Sequence, residues 1–153
     1  MKQNYNKDEH RKLLKYSEAL RKKGKFIGKE SREDYLKLLK YISLVYSQLN
    51  WEIRDQYLEI FKKFMSNQIT SFDFCQILNE KRVLNDELAD EVLLDTLHQK
   101  AYDFTDFLDN LSDSCEVCDR SDEPWRPSYN ISESQLRDEI EETYLKLQKF
   151  LEE

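Results

Sequence analysis

The chain of 153 residues carries 31 Asp+Glu against 24 Lys+Arg, a formal net charge of −7, with only two glycines and two prolines. One domain accommodates that length. The shortage of turn residues argues against a many-stranded fold and for long helices. Nine tyrosines, eight phenylalanines and two tryptophans supply apolar area for a core in spite of the charge. No stretch approaches the roughly 20 apolar residues that span a bilayer, and the N-terminus lacks the apolar segment of a secretory leader. Three cysteines make a poor disulfide framework, so free thiols in a reducing, cytoplasmic setting are expected.

Charge is distributed unevenly. Residues 1–41 hold 13 Lys+Arg against 6 Asp+Glu, whereas residues 86–123 hold 13 acids and 2 bases. An acidic block of this kind is ordinarily a solvated face. It also suits the steering of a cationic partner.

Four helix starts are legible in chain order as Asn6-x-x-Glu9, Ser31-x-x-Asp34, Thr70-x-x-Asp73 and Ser132-x-x-Gln135. In each, a side-chain oxygen can satisfy an orphan backbone N–H. The first opens a basic segment that fades at Lys23-Gly24. Its apolar content (Leu13, Leu14, Tyr16, Leu20) is thin, so weak docking is expected. Tyr35, Leu38, Ile42, Val45 and Leu49 then paint one stripe on a second helix. After a break near Asn50, Ile53, Tyr57, Ile60, Phe61 and Phe64 line a third, which should stop at Ser66-Asn67. Phe74, Ile77 and Leu78 face inward on a fourth.

A fifth helix is predicted over 86–111. Ala89, Leu93, Leu97, Ala101, Phe104, Leu108 and Leu111 fall on one side of it at about 100° per residue. Asp95, Asp103, Asp106, Asp109 and, with one more turn, Asp113 fall on the other, with Tyr102 among them. Ser112–Ile131 is then a long connection holding both prolines, two cysteines and Trp125, a length usually reserved for function or disorder. Trp125 is either a pin for this connection or an anchor for a partner. The last helix, from Glu133, turns Leu136, Ile140, Tyr144, Leu147 and Leu151 inward. The pattern predicts an all-α fold, an antiparallel four-helix bundle (51–66, 71–84, 86–111, 132–152) with one or two additional N-terminal helices. Residues 1–30 form a basic extension in this reading, and 31–153 the bundle domain.

Catalytic chemistry has little to stand on. Gly24 and Gly28 do not form a phosphate-cradling loop, His10 and His98 lie far apart, and no nucleophile sits on a recognisable strained turn. The acids at 103, 106, 109 and 113 lack the alternation and central glycine of a calcium loop. No enzyme and no cofactor are expected. Cys115-Glu116-Val117-Cys118 has the spacing of a zinc half-site. Cys75, His10 and His98 offer no second ligand pair, so free surface thiols are the simpler reading. Arg11, Lys12, Lys15, Arg21, Lys22, Lys23 and Lys25 could hold phosphates non-specifically, with few aromatics beyond Tyr16 and Phe26 to stack bases.

From about Gln56 onward the chain resembles the colicin D immunity family, small antiparallel helical bundles that neutralise a tRNA-cleaving toxin. The residues that carry the resemblance are Phe64-Met65-Ser66-Asn67-Gln68-Ile69-Thr70-Ser71-Phe72-Asp73-Phe74-Cys75, Phe104-Thr105-Asp106-Phe107, and Tyr129-Asn130-Ile131-Ser132-Glu133-Ser134-Gln135-Leu136-Arg137-Asp138-Glu139-Ile140. Residues 1–50, the cysteine pair and Pro124-Trp125-Arg126-Pro127 have no counterpart in that pattern. The resemblance implies an acidic surface that stands in for the tRNA backbone and fills the basic cleft of a nuclease. On this chain that surface would comprise Asp95, Asp103, Asp106, Asp109, Asp113, Glu116 and Asp119, with Tyr102 or Trp125 adding short-range affinity. The competing expectation is a helical adaptor or structural subunit of a larger assembly, whose basic N-terminal helix touches RNA or another polyanion. Neither reading involves a membrane.

Overall fold

A computed structural model describes residues 5–118 and 131–153. They form the helices α1 (Lys7–Lys22), α2 (Ile27–Glu30), α3 (Arg32–Glu52), α4 (Arg54–Met65), α5 (Ser71–Ala89), α6 (Ala101–Val117) and α7 (Glu133–Glu152). The fold is all-helical. None of these helices is long and apolar enough to cross a membrane.

All four sequence-predicted caps form. Asn6 Oδ1 accepts the Glu9 N–H at 2.9 Å and Ser31 Oγ accepts that of Asp34 at 3.3 Å. Thr70 with Asp73 and Ser132 with Gln135 make reciprocal boxes, which satisfy two orphan donors at each start. Two helix ends share one chemistry. Gly24 (φ 72°) follows α1 and Asn67 (φ 62°) follows α4, both left-handed. The Lys25 N–H then donates to Leu20 O and the Gln68 N–H to Lys63 O, the 6→1 bond of a Schellman motif.

Neighbouring helices run antiparallel where their contacts can be followed. Phe64 meets Phe74 while Gln56 meets Lys81, pairing α4 with α5. Cys75 bonds Cys115 while Arg82 meets Asp109, pairing α5 with α6. Phe61 stacks on Tyr144 while Arg137 covers the Phe64 ring, pairing α4 with α7. The main core lies among these elements, with Tyr57, Phe61, Phe74, Leu78, Phe104, Leu108, Leu136, Ile140 and Leu147 fully buried. Helix α3 lies across α5 and α6, and its N-terminal half carries a second core of Leu13, Ile27, Leu38, Tyr41 and Leu44. That second core docks α1, whose His10 and Leu13 are buried.

The seam between α3, α5 and α6 is polar. Asn50, fully buried, accepts from Tyr57 Oη at 2.6 Å and Asn85 Nδ2 at 2.8 Å and donates towards Thr105 Oγ1 at 3.4 Å. Buried amides persist where every donor and acceptor finds a partner.

Two sequence expectations are corrected. The helix predicted over 86–111 does not exist as one element. α5 runs on to Ala89, residues 90–100 leave the helical path, and α6 begins at Ala101 and continues to Val117. Side chains far away in sequence accept the amides that a continuous helix would have used internally. The Leu94 N–H donates to Tyr5 Oη at 3.3 Å and the His98 N–H to Gln48 Oε1 at 2.6 Å. Tertiary partners thus override a periodicity that reads through. The second correction concerns the cysteines. Cys75 and Cys115 form a disulfide between α5 and α6, and Cys118 alone is free. The antiparallel register brings two residues 40 apart to the same depth, which spacing along the chain does not reveal. In this state Cys115 is not a zinc ligand.

Candidate protein-binding face

Helix α6 turns Ala101, Phe104, Thr105, Leu108, Leu111 and Ser112 inward. At about 100° per residue these occupy one sector, Tyr102, Asp103, Asp106, Asn110 and Asp113 share the opposite one, and Asp109 and Glu116 lie on the edge between. Tyr102, Asp103, Asp106, Asn110, Asp113 and Glu116 are exposed. No acidic residue but Asp103 lies in the first turn and no base in the last, so the helix dipole goes uncompensated at its C-terminus.

A groove of about 320 Å³ runs along this face beside α7, lined by Asp103, Asp106, Phe107, Asn110 and Phe150. Its floor is aromatic, with the Phe107 and Phe150 centroids 5.5 Å apart. On α7's side Lys100 Nζ donates to Phe150 O at 2.9 Å and lies 5.2 Å from the Phe150 ring centroid. Partial burial, then the neighbouring Asp109 and Asp103 charges, push the Asp106 carboxyl above the usual carboxylate range. Among the described residues neither Asp103 nor Asp106 has a basic partner within ion-pair distance. The groove therefore presents hydrogen-bond acceptors and uncompensated negative charge over an apolar floor, a combination matched to basic side chains.

The predicted site residues divide into groups. Tyr102, Asp103, Asp106, Asp113 and Glu116 share the exposed face of α6. Asp109 belongs to that helix too, but its carboxylate is held within the protein. Asp109 Oδ1 accepts from Arg82 Nη2 at 2.8 Å and from Tyr46 Oη at 3.1 Å, and burial raises the Tyr46 hydroxyl to about 12. Asp95 lies apart, on the 90–100 connection. Its carboxylate accepts from Lys7 Nζ at 2.6 Å, a hydrogen bond and charge that lower its pKa, so it fastens α1 to the connection. Asp119 and Trp125 lie outside the described residues.

Sequence reading missed Phe107, Asn110 and Phe150 as groove residues. Phe150 falls beside the Leu147–Leu151 stripe of α7, and only the packing of α7 against α6 shows which aromatic meets Phe107. His98 falls within the helix predicted over 86–111. It sits instead on the connection, stacked on Trp51 with centroids 4.2 Å apart, while Arg54 lies 4.5 Å from the same ring. Comparison of the chain with protein-family models, with curated proteins and with solved structures finds no match.

Proposed function

We propose that the protein is an immunity-type inhibitor that binds a basic, RNA-cleaving toxin domain and occupies its substrate cleft with the acidic face of α6. The observation that carries this reading is the pair Asp103 and Asp106, without a basic partner among the described residues, lining a groove with an aromatic floor. A nuclease cleft lined by Lys and Arg presents the complementary charge, and such charge raises the association rate and makes it fall with salt. The resemblance of residues from 56 onward to the colicin D immunity family supports the same reading, in which α4 to α7 are the antiparallel bundle and α1 to α3 an addition. The protein then acts in the cytoplasm, where the toxin's RNA substrate lies.

A second reading rests on α1. Lys12, Lys15, Lys22, Lys23 and Lys25 are exposed and make no ion pair among the described residues, which favours an adaptor that contacts RNA or another polyanion. One experiment separates the two. Wild type and an Asp103→Asn, Asp106→Asn variant are used for capture from the source-cell lysate at low salt, with elution by a salt ramp. A single basic nuclease, silenced by the wild type and lost by the variant, supports inhibition. RNA or a multisubunit assembly retained equally by both proteins refutes it.

A further inference from the structure

The geometry points to Cys75, Cys115 and Cys118 as one thiol–disulfide exchange centre, in which the Cys118 thiol displaces Cys75 from its disulfide with Cys115. Three observations meet here. Cys75 and Cys115 are already bonded across α5 and α6, while Cys118 keeps a free thiol. Cys118 is the C-cap of α6, so its Cα still lies on the helical track and its side chain leaves one turn beyond that of Cys115. Residues three apart on a helix are neighbours whose Cα atoms lie about 5 Å apart, within the Cα separation of about 4.4–6.8 Å that a disulfide spans. Both Cys115 and Cys118 pack against the same core cluster that contains Cys75, so the third cysteine is turned towards the bundle interior.

The extended backbone of Cys118 (φ −73°, ψ 116°) is fixed beyond the helix, because the Ile131 N–H donates to Val117 O at 3.0 Å and Ile131 bridges Cys118. The thiol is therefore presented by an anchored segment. Cys118 is half-buried while Cys75 is almost wholly enclosed, so solvent-borne base reaches the attacking thiol more readily than the departing one.

The step balances without an added oxidant. Cys118 gives its proton to solvent and its thiolate attacks Cys115 Sγ. A Cys115–Cys118 bond forms, the Cys75–Cys115 bond breaks, and the Cys75 thiolate leaves and takes a proton from solvent. One disulfide and one thiol are present before and after. The cross-link between α5 and α6 is exchanged for one within the last turn of α6, beside Asp113 and Glu116. Because the attacking species is the thiolate, exchange accelerates with rising pH.

The test maps the free thiol. Purified full-length protein is incubated without reductant at pH 6 and pH 8.5, acid-quenched, alkylated in acidic denaturant, digested and sequenced by mass spectrometry. The expected result is label on Cys118 at the start, with label appearing on Cys75 over time, faster at pH 8.5. The Cys118→Ser variant should show no label on Cys75 under either condition. In Cys75→Ser, a glutathione disulfide buffer should yield a Cys115–Cys118 bond, which checks the geometry independently of the native cross-link. Label confined to Cys118 throughout, or a Cys75→Ser protein whose Cys115 and Cys118 both remain alkylatable, would overturn the proposal.

Discussion

Arg82 approaches Asp109 with two nitrogens, Nε at 3.0 Å and Nη2 at 2.8 Å, both on Oδ1. The same guanidinium donates through Nη1 to Ser112 Oγ at 2.6 Å and to Asn79 Oδ1 at 3.2 Å. One arginine of α5 thus organises an acid, a hydroxyl and an amide along the α5–α6 seam. The acidic face consequently contains a structural carboxylate, Asp109, beside Asp103 and Asp106, which have no basic partner among the described residues.

The first prediction separates those roles. Asp109→Asn weakens the charge-assisted bonds and leaves Arg82, whose side chain is 22 % exposed, partly buried without a counter-ion. A fully buried pair would cost more, but solvent screening at Asp109 reduces the loss to about 1–2 kcal/mol. Asp103→Asn should cost no more than about 0.5 kcal/mol, the contribution of the one acid in the first turn of α6. Asp106→Asn should leave stability unchanged or raise it, because the folded state disfavours that charge. Urea denaturation of the three single variants checks the order, and equal losses at all three positions would contradict it.

A second prediction concerns Asn50, which ties α3 to α4, α5 and α6. Replacement by Leu fills the space but leaves Tyr57 Oη and Asn85 Nδ2 without their acceptor, and both groups lie in the interior. Each stranded group costs about 1–3 kcal/mol. Asn50→Leu should therefore lower stability severalfold more than Tyr57→Phe, which removes one donor and strands only part of an amide. Chemical denaturation of both variants gives the comparison.

The parts of the fold legible in sequence were those fixed locally. Capping boxes at Thr70 and Ser132 are decided within four residues, and the Gly24 and Asn67 ends by backbone preference. The stripes of α3, α4 and α7 were readable for the same reason. The break at 90–100 was not, since its cause is Tyr5 and Gln48 reaching in from distant helices. Periodicity alone favoured continuing through Leu93 and Leu97, and neither glycine nor proline marks the interruption. The face of α6 was partly legible because exposed acids follow helical spacing. That Asp109 is spoken for, that Asp95 serves Lys7 and that Phe150 floors the groove all depend on which helices pack together. Cys75 and Cys115 pose the same difficulty in its sharpest form.

The third prediction is a pH dependence. His10 is fully buried, its Nδ1 2.7 Å from Tyr5 Oη and its Nε2 without a partner among the described residues. Burial lowers its pKa. Its ring sits between Tyr5 and Tyr41, with Glu9 beside the Tyr41 hydroxyl. The unfolded chain takes up the proton near the ordinary histidine value of about 6.5, whereas the folded chain resists it. The contribution of neutral His10 is thus fully present above that pH and is lost as pH falls below it. His98 shifts in the same direction, through burial and then Arg54 and Lys100. His10→Phe should flatten, without abolishing, the fall in stability between about pH 6.5 and 5. An unchanged slope in that variant would assign the effect elsewhere.

The last prediction concerns what holds the 90–100 connection against the helices. Two of its amides depend on single side chains, Leu94 on Tyr5 Oη and His98 on Gln48 Oε1. His98 Nδ1 in turn accepts the Lys100 N–H at 3.0 Å, which positions the residue before α6 begins. Tyr5→Phe removes the first acceptor while keeping the ring against His10 and Tyr41, and Gln48→Ala removes the second. Gln48→Ala should cost about 1 kcal/mol of stability and Tyr5→Phe more, because it also strips His10 Nδ1 of its partner, and each should speed hydrogen exchange at its own amide more than at the other. Local opening of a connection proceeds at lower free energy than global unfolding, so amides in the core of α4 and α7 should respond only through the global loss. If Leu94 and His98 accelerate together in both variants, the connection opens as one unit, and its departure from the helical path is a single cooperative feature rather than two independent anchors.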